Sequence, residues 1–464
     1  MRQAVESILA VARLTRKAAL RFRLVPVMIV ILIGSVLLLP AVIKDDGTAR
    51  GMTQIVLSYT LTLTTALLGI MTLWLGCGAL AKDVEDATIQ LVDVKPITRW
   101  QIWLGKWVGV MQIDLFLLAI AAAVIYMQLM WRASRMPPKE QEVLRNEVFV
   151  ARGSFKPKPP DIEAQVEKIY QQRLEEQPEL VQQANPYQLK KLIREQVKST
   201  YEILPPAYVR RWVLNMSSVQ DKVKGQPLFL RVKFHAAKKK EEQPTFPVEW
   251  RVGPPESPRQ YRAIKSMAPD AFHELTIPPD LLDSKGRLII EAINLSDTAL
   301  VFPIEDGIEV LYREGGFLLN YIRGVIIVFC WLALIGAMGL AAASYLSFPT
   351  ATFVSISLLV VAFSTGTMKY VIETGSIFNV NPQTGKVMSP TLFDVATVLF
   401  FKTLLFLVNL VRGFSPIDLL STGRSVTWGM LFRAIGQIVV LLGGIFALIG
   451  IVVFSRRELA TAQR

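Results

Sequence analysis

The chain has 464 residues, 52% of them apolar and 19% charged, with a mean hydropathy of +0.38. That balance excludes an ordinary soluble domain and leaves room for several membrane helices plus one substantial soluble insertion. The formal net charge of +13 does not point to nucleic acid, because residues 132–318 hold 29 Lys and Arg against 26 Asp and Glu, and the remaining excess flanks or interrupts apolar helices, as anchoring requires.

Residues 1–23 carry six basic side chains against Glu6, which by the positive-inside rule places them in the cytoplasm. Val5, Ile8, Leu9 and Ala12 follow helical spacing, so this segment is expected to lie along the membrane surface. Apolar runs at 24–43, 53–80 and 107–131 are each long enough for a hydrocarbon core of about 30 Å. No cleavage pattern follows the first run, which is read as a retained anchor. From Gly51 to Ala81 there is no charge at all, and from Trp107 to Trp131 only Asp114. The mixed-charge stretch 81–106 between them projects from the bilayer as a short helical knob that must dock on something.

The insertion at 132–318 divides by composition. Its first part, 139–215, reads as helical, with Asp161 capping a helix and Asn185-Pro186 opening another. Its second part, 225–314, reads as a small β-sandwich, with strands at 228–235, 246–252, 272–277, 287–294 and 308–312 between Pro, Gly, Asp and Ser clusters. Residues 324–368 are uncharged throughout, and Ser347-Phe348-Pro349 divides them into spans at 319–344 and 350–370. Residues 371–433 are expected to form an outer loop. Within it, 391–412 has Asp394, Lys402, Asn409 and Arg412 within about 80° on a helical wheel, which suits an interfacial or re-entrant helix. A last span at 434–454 returns the basic tail, 455–464, to the cytoplasm. The expectation is an α-helical polytopic membrane protein with six spans and a large α+β extracytoplasmic domain between the third and fourth.

Chemistry is sparse. The Gly-Lys pairs at 105–106 and 385–386 lack the spacing and hydroxyl of a phosphate-cradling loop, so no nucleotide site is expected in this chain. Cys77 and Cys330 lie inside apolar runs, and His235 and His273 stand alone, which leaves no metal or catalytic constellation. Asp114 sits about 10 Å into the third span, where a carboxylate is costly, and is expected to face the bundle interior in a polar pocket shared with Gln112, serving gating or helix pairing.

The stretch 81–106 resembles the coupling-helix region of type-2 ABC transporter permeases. The residues that carry the resemblance are Glu85, Asp86, Thr88, Leu91, Pro96, Ile97, Arg99, Gly105 and Lys106, supported by the Ser347-Phe348-Pro349 hairpin and the terminal Phe454–Leu459 segment. Ala87 stands where that class usually has Gly, a change expected to be harmless. The resemblance implies an exporter permease of a bacterial cytoplasmic membrane, working as a homo- or heterodimer with a separate ABC ATPase subunit that binds ATP and Mg. Glu85, Asp86 and Arg99 would contact the ATPase, Pro96 would shape the turn, and Lys106 would anchor the third span at lipid headgroups. The competing expectation is a membrane-anchored sensor or envelope assembly protein that acts through its external domain by mechanotransmission.

Overall fold

The structure is a computed structural model that describes residues 2–21, 24–43, 47–89, 97–144, 148–176, 186–237, 245–255, 258–376 and 391–457. In chain order the helices begin with α1 (Arg2–Arg21), α2 (Leu24–Val42), α3 (Ala49–Glu85), α4 (Arg99–Ser134) and α5 (Pro138–Val143). Strand β1 (Val150–Phe155) follows, then α6 (Ile162–Glu176) and α7 (Pro186–Glu202). Next come β2 (Ile203–Leu204), β3 (Val209–Asn215), the short helix α8 (Gln220–Val223), β4 (Leu228–Val232), β5 (His235–Ala236), β6 (Phe246–Val252) and β7 (Tyr261–Met267). The strands finish with β8 (His273–Ile277), β9 (Arg287–Asn294), β10 (Leu300–Val301) and β11 (Ile308–Gly316). The chain closes with α9 (Phe317–Ala343), α10 (Phe348–Phe363), α11 (Thr365–Thr374), α12 (Leu392–Arg412), α13 (Pro416–Ser421), α14 (Trp428–Ala434), a π-helix (Ile435–Gly443) and α15 (Gly444–Arg456).

Two compact units emerge, one of residues 1–151, 316–369 and 402–464, the other of 152–315 and 370–401. The first is a helical bundle. Its helices approach closely because small residues stand at the crossings, the usual device where lipid offers no hydrophobic drive. A Cβ on Gly76 would lie 3.0 Å from the Gly336 carbonyl oxygen, and one on Gly339 3.1 Å from that of Leu73, which seats α9 on α3. Five helices among the described residues are long and apolar enough to cross a membrane, and up to seven if each of two bent pairs counts as one span.

One expectation changes here. The stretch 350–370 is not one straight helix, because α10 and α11 meet at 73°. Ser364 sits at the break outside helical geometry (φ −84°, ψ 46°), with its hydroxyl donating to the Val360 carbonyl at 3.0 Å, a side-chain bond that competes with the helix. Conversely, α12 is one unbroken 21-residue helix, apolar enough to pass as a span together with α13. Six polar residues in 21, Asp394, Thr397, Lys402, Thr403, Asn409 and Arg412, leave its length and composition compatible with a span.

The second unit is built on a β-sandwich. One sheet runs β1-β11-β4-β8, the other β3-β9-β6-β7, and β2-β10-β5 form a small third sheet. The period-two burial along β4 and β6 is the reason: Leu228, Leu230 and Val232 face Phe246, Val248, Trp250 and Val252 in one apolar cluster. Helices α6 and α7 pair through Val166, Ile193 and Val197, and Asp161 accepts the Ala164 amide at 3.1 Å as an N-cap.

The part read as helical, 139–215, contains strands that the reading lacked. In β3 the paired arginines Arg210 and Arg211 obscure the alternation. Register against β9 sets Arg211 opposite Glu291, and the two pair at 2.7 Å. In β1, Gly153 lies against the Tyr312 ring, where a Cβ would come within 2.2 Å. Arg152 beside it is buried and pairs with Glu274 at 2.7 Å. Edge strand β7 breaks the usual alternation, with Ile264 on its exposed face and Lys265 in the register of its inward residues.

Candidate functional site

The candidate site is the end of the helical unit where the coupling segment leaves α3 and enters α4. Helix α3 stops at Glu85, with the Asp86 amide bonded to the Lys82 carbonyl (2.8 Å) and the Ala87 amide to that of Val84 (3.2 Å). Ala87 closes the turn at φ +56°, in the left-handed region where a Cβ crowds the backbone. Alanine in place of glycine is therefore not neutral at this position, contrary to the expectation above. The Thr88 hydroxyl donates to the Asp83 carbonyl at 3.2 Å and tightens the same turn. Leu91 and Pro96 lie outside the described residues.

Glu85 reaches across to α10. Its Oε1 accepts the Phe348 amide at 2.7 Å, an acidic cap on a helix whose first turn holds Pro349. Asp86 is exposed. Thr98 starts α4, donating its amide to the Gln101 side-chain carbonyl at 3.0 Å. Arg99 then collects the end of the last helix, donating from Nη1 to the carbonyls of Phe454 (3.1 Å), Ser455 (3.1 Å) and Arg457 (2.7 Å). A guanidinium is well suited to these orphan carbonyls and to the negative pole of α15. Arg457 in turn donates to the Ser344 carbonyl at 3.2 Å, and the buried Trp103 indole donates to the Ser344 hydroxyl, also at 3.2 Å.

Lys106 does not reach for headgroups. It is 4% exposed and donates to the Asp83 carboxylate and the Ala79 carbonyl, both on α3. Ile97 packs in the apolar cluster that holds Trp103 and Phe454. Glu85, Arg99 and Lys106 thus join with Asp83, Trp103, Ser344 and Arg457 in a brace that ties the ends of α3, α4, α9, α10 and α15. The sequence reading missed Asp83, Ser344 and Arg457. For Asp83 a signal existed: it is the remaining acid in the Lys82–Asp86 run, facing the basic start of the third span.

Gly105 belongs elsewhere. With Gly109 it forms a GxxxG face against α1. A Cβ on Gly105 would lie 2.6 Å from Val11 Cβ and 2.9 Å from the Ile8 carbonyl oxygen, and one on Gly109 2.8 Å from Thr15 Cβ. Consequently α1 buries Val11, Ala12, Thr15 and Ala19 on α4 and leaves Val5 and Leu9 exposed. Gln112 and Asp114 share no pocket, because two residues at 100° each turn the side chains some 200° apart. Gln112 accepts from Arg16 of α1 at 3.4 Å. Asp114 is fully buried, both oxygens without a hydrogen-bond partner, while the neighbouring Thr72 hydroxyl donates to the Leu68 carbonyl.

In the other unit His235 pairs with Asp270, and His273 Nε2 bonds the Ala268 carbonyl at 2.7 Å, so both rings serve local structure. Among the described residues no group of three His, Cys, Asp or Glu is placed to hold a metal ion.

No curated protein and no solved structure matches the chain. A family model described as ABC-2 family transporter protein matches residues 8–151, which span α1 to α4 and the whole coupling segment. Such permeases are multi-pass membrane components that generally pair with an ABC ATPase. Over that stretch the chain is similar to ABC-2 family transporter proteins, and the match supports an ABC-2 type permease.

Proposed function

We propose that this chain is the permease subunit of an ATP-driven exporter, with ATP bound and hydrolysed by a separate ABC ATPase that docks on the segment between α3 and α4. The observation that supports this most is the brace behind that segment. A push on a loop is transmitted only if the helix ends behind it move together, and here Arg99, Lys106 and Glu85 tie the ends of five helices. Exposed Glu85 and Asp86 offer carboxylates to a partner, while half-buried Arg99 acts on the end of α15. On this reading α1 lies at the cytoplasmic surface, the β-sandwich is extracytoplasmic, two permease halves form the pathway, and Asp114 is a polar pivot inside the bundle.

The test is co-purification with a soluble ABC ATPase from the same cells, followed by ATPase measurements in liposomes. Asp86→Lys is expected to weaken the complex, and Arg99→Ala is expected to leave it intact while uncoupling hydrolysis from export. A thiol placed at position 90 that reacts only from outside intact cells would overturn the orientation. A stable complex without transport would favour mechanotransmission through the β-sandwich unit instead.

A further inference from the structure

At the opposite end of the last span lies a cavity of about 390 Å³ lined by Asn409, Ser425, Thr427, Arg433 and Gln437 over an apolar wall that includes Phe414. Three features set it apart. The first is the backbone. Ile435–Gly443 is a nine-residue π-helix, a rare widened form that concentrates at functional sites, and Gln437 in its first turn faces the cavity. Crowding does not explain the widening, since a Cβ on Gly436 or Gly444 would meet nothing within 4 Å. The second is an unused polar group: the Ser425 hydroxyl is buried without a hydrogen-bond partner, which is costly unless something else supplies one. The third is charge. The lining has one cation, Arg433, whose Nε donates to the Gly429 carbonyl at 3.2 Å, and no carboxylate.

Depth narrows the choice of ligand. The helix Trp428–Arg456 has 29 residues, about 40 Å at 1.5 Å per residue, against a hydrocarbon core of about 30 Å. If its brace end reaches one headgroup layer, the cavity reaches the other. Trp428 stacks on Phe432 beside it, ring centroids 6.2 Å apart, both half or more exposed, as aromatics at a membrane interface are. On α12, Phe406, one turn before the lining residue Asn409, is exposed and gives that helix an apolar flank.

We propose that this cavity binds the phosphate headgroup of an anionic membrane lipid, with Arg433 supplying the charge, Asn409, Ser425, Thr427 and Gln437 the hydrogen bonds, and the acyl chains running along the α12 flank. The inference does not depend on ATP coupling or on which molecule is exported.

The experiment counts lipids retained by the delipidated full-length protein in native mass spectrometry. The probes are phosphatidylglycerol, a diacylglycerol with the same chains, and phosphatidylglycerol with inorganic phosphate in large excess. Phosphatidylglycerol is expected to be retained and diacylglycerol not, with no displacement by phosphate. Arg433→Gln is expected to lower retention about tenfold, the worth of one charge-assisted hydrogen bond, and Gln437→Leu several-fold. Arg456→Gln, at the other end of the span, is the control and should change nothing. Equal retention of diacylglycerol would reduce the site to an apolar patch, and displacement by inorganic phosphate would make it a site for soluble anions. Retention unchanged in both cavity variants, or lost equally in the control, would also overturn the proposal.

Discussion

Replacing Gly105 with alanine tests how α1 is held. The added methyl would stand 2.6 Å from Val11 Cβ and 2.9 Å from both Val11 Cγ1 and the Ile8 carbonyl oxygen, where unstrained carbon contacts begin near 3.5 Å. Two of those three atoms are fixed to the α1 backbone, so no rotamer relieves the clash and the helices must part by roughly 1 Å. Overpacking of this kind costs about 1–3 kcal/mol, here at the upper end, while alanine recovers about 1 kcal/mol of helix propensity. The net loss is about 2 kcal/mol, or about thirtyfold in the docking equilibrium of α1. Hydrogen exchange of the α1 amides in nanodiscs should report a protection loss of that size. Gly34→Ala is the control, because its Cβ would meet nothing within 4 Å, and it should leave protection unchanged. Adding Gly109→Ala should cost less than the sum of the two singles, since one displacement makes room for both methyls. If Gly105→Ala leaves α1 protected as before, the GxxxG argument fails.

Ala87→Gly should stabilise the chain by about 1 kcal/mol, because the left-handed turn at φ +56° strains alanine, and a thermal melt in detergent that falls instead would contradict this. Asp83→Asn should destabilise more than Lys106→Met: the first strands a buried ammonium at a cost of about 3–5 kcal/mol, whereas the second leaves a carboxylate that is 40% exposed and can turn to water. Equal losses would refute that asymmetry. In the β-sandwich unit the Arg287 amide, its guanidinium and the Lys285 amide hold the Asp283 carboxyl below the usual carboxylate range. A depressed group contributes stability above its unfolded pKa of about 4 and loses it as pH falls through the lower folded value. An NMR titration of the turn before β9 should show its transition below the ordinary aspartate range, and Asp283→Asn should abolish that transition.

The apolar runs, the break at Ser347-Phe348-Pro349, the Asp161 cap and the alternation of β4 and β6 were legible because each is a local pattern with one physical meaning. The family resemblance was legible in 81–106, and the family match over 8–151 bears it out. Roles within that segment were not. The contacts of Glu85 with the Phe348 amide and of Arg99 with the Phe454 carbonyl could not be read there, because those partners lie hundreds of residues away in the chain. Strands β1 and β3 were missed because their stability comes from partners such as Tyr312 and Glu291 rather than from their own composition.

The amino-acid order alone determined that this protein is helical, membrane-embedded and interrupted by a β-rich insertion, since hydropathy and periodicity act over one or two turns. Only the tertiary structure decided that Gly105 packs a helix, that Lys106 pairs with Asp83, and that Asp114 and Gln112 face different neighbours. Those outcomes depend on which surfaces meet, and contacts between helix ends far apart in the chain leave no trace in local spacing.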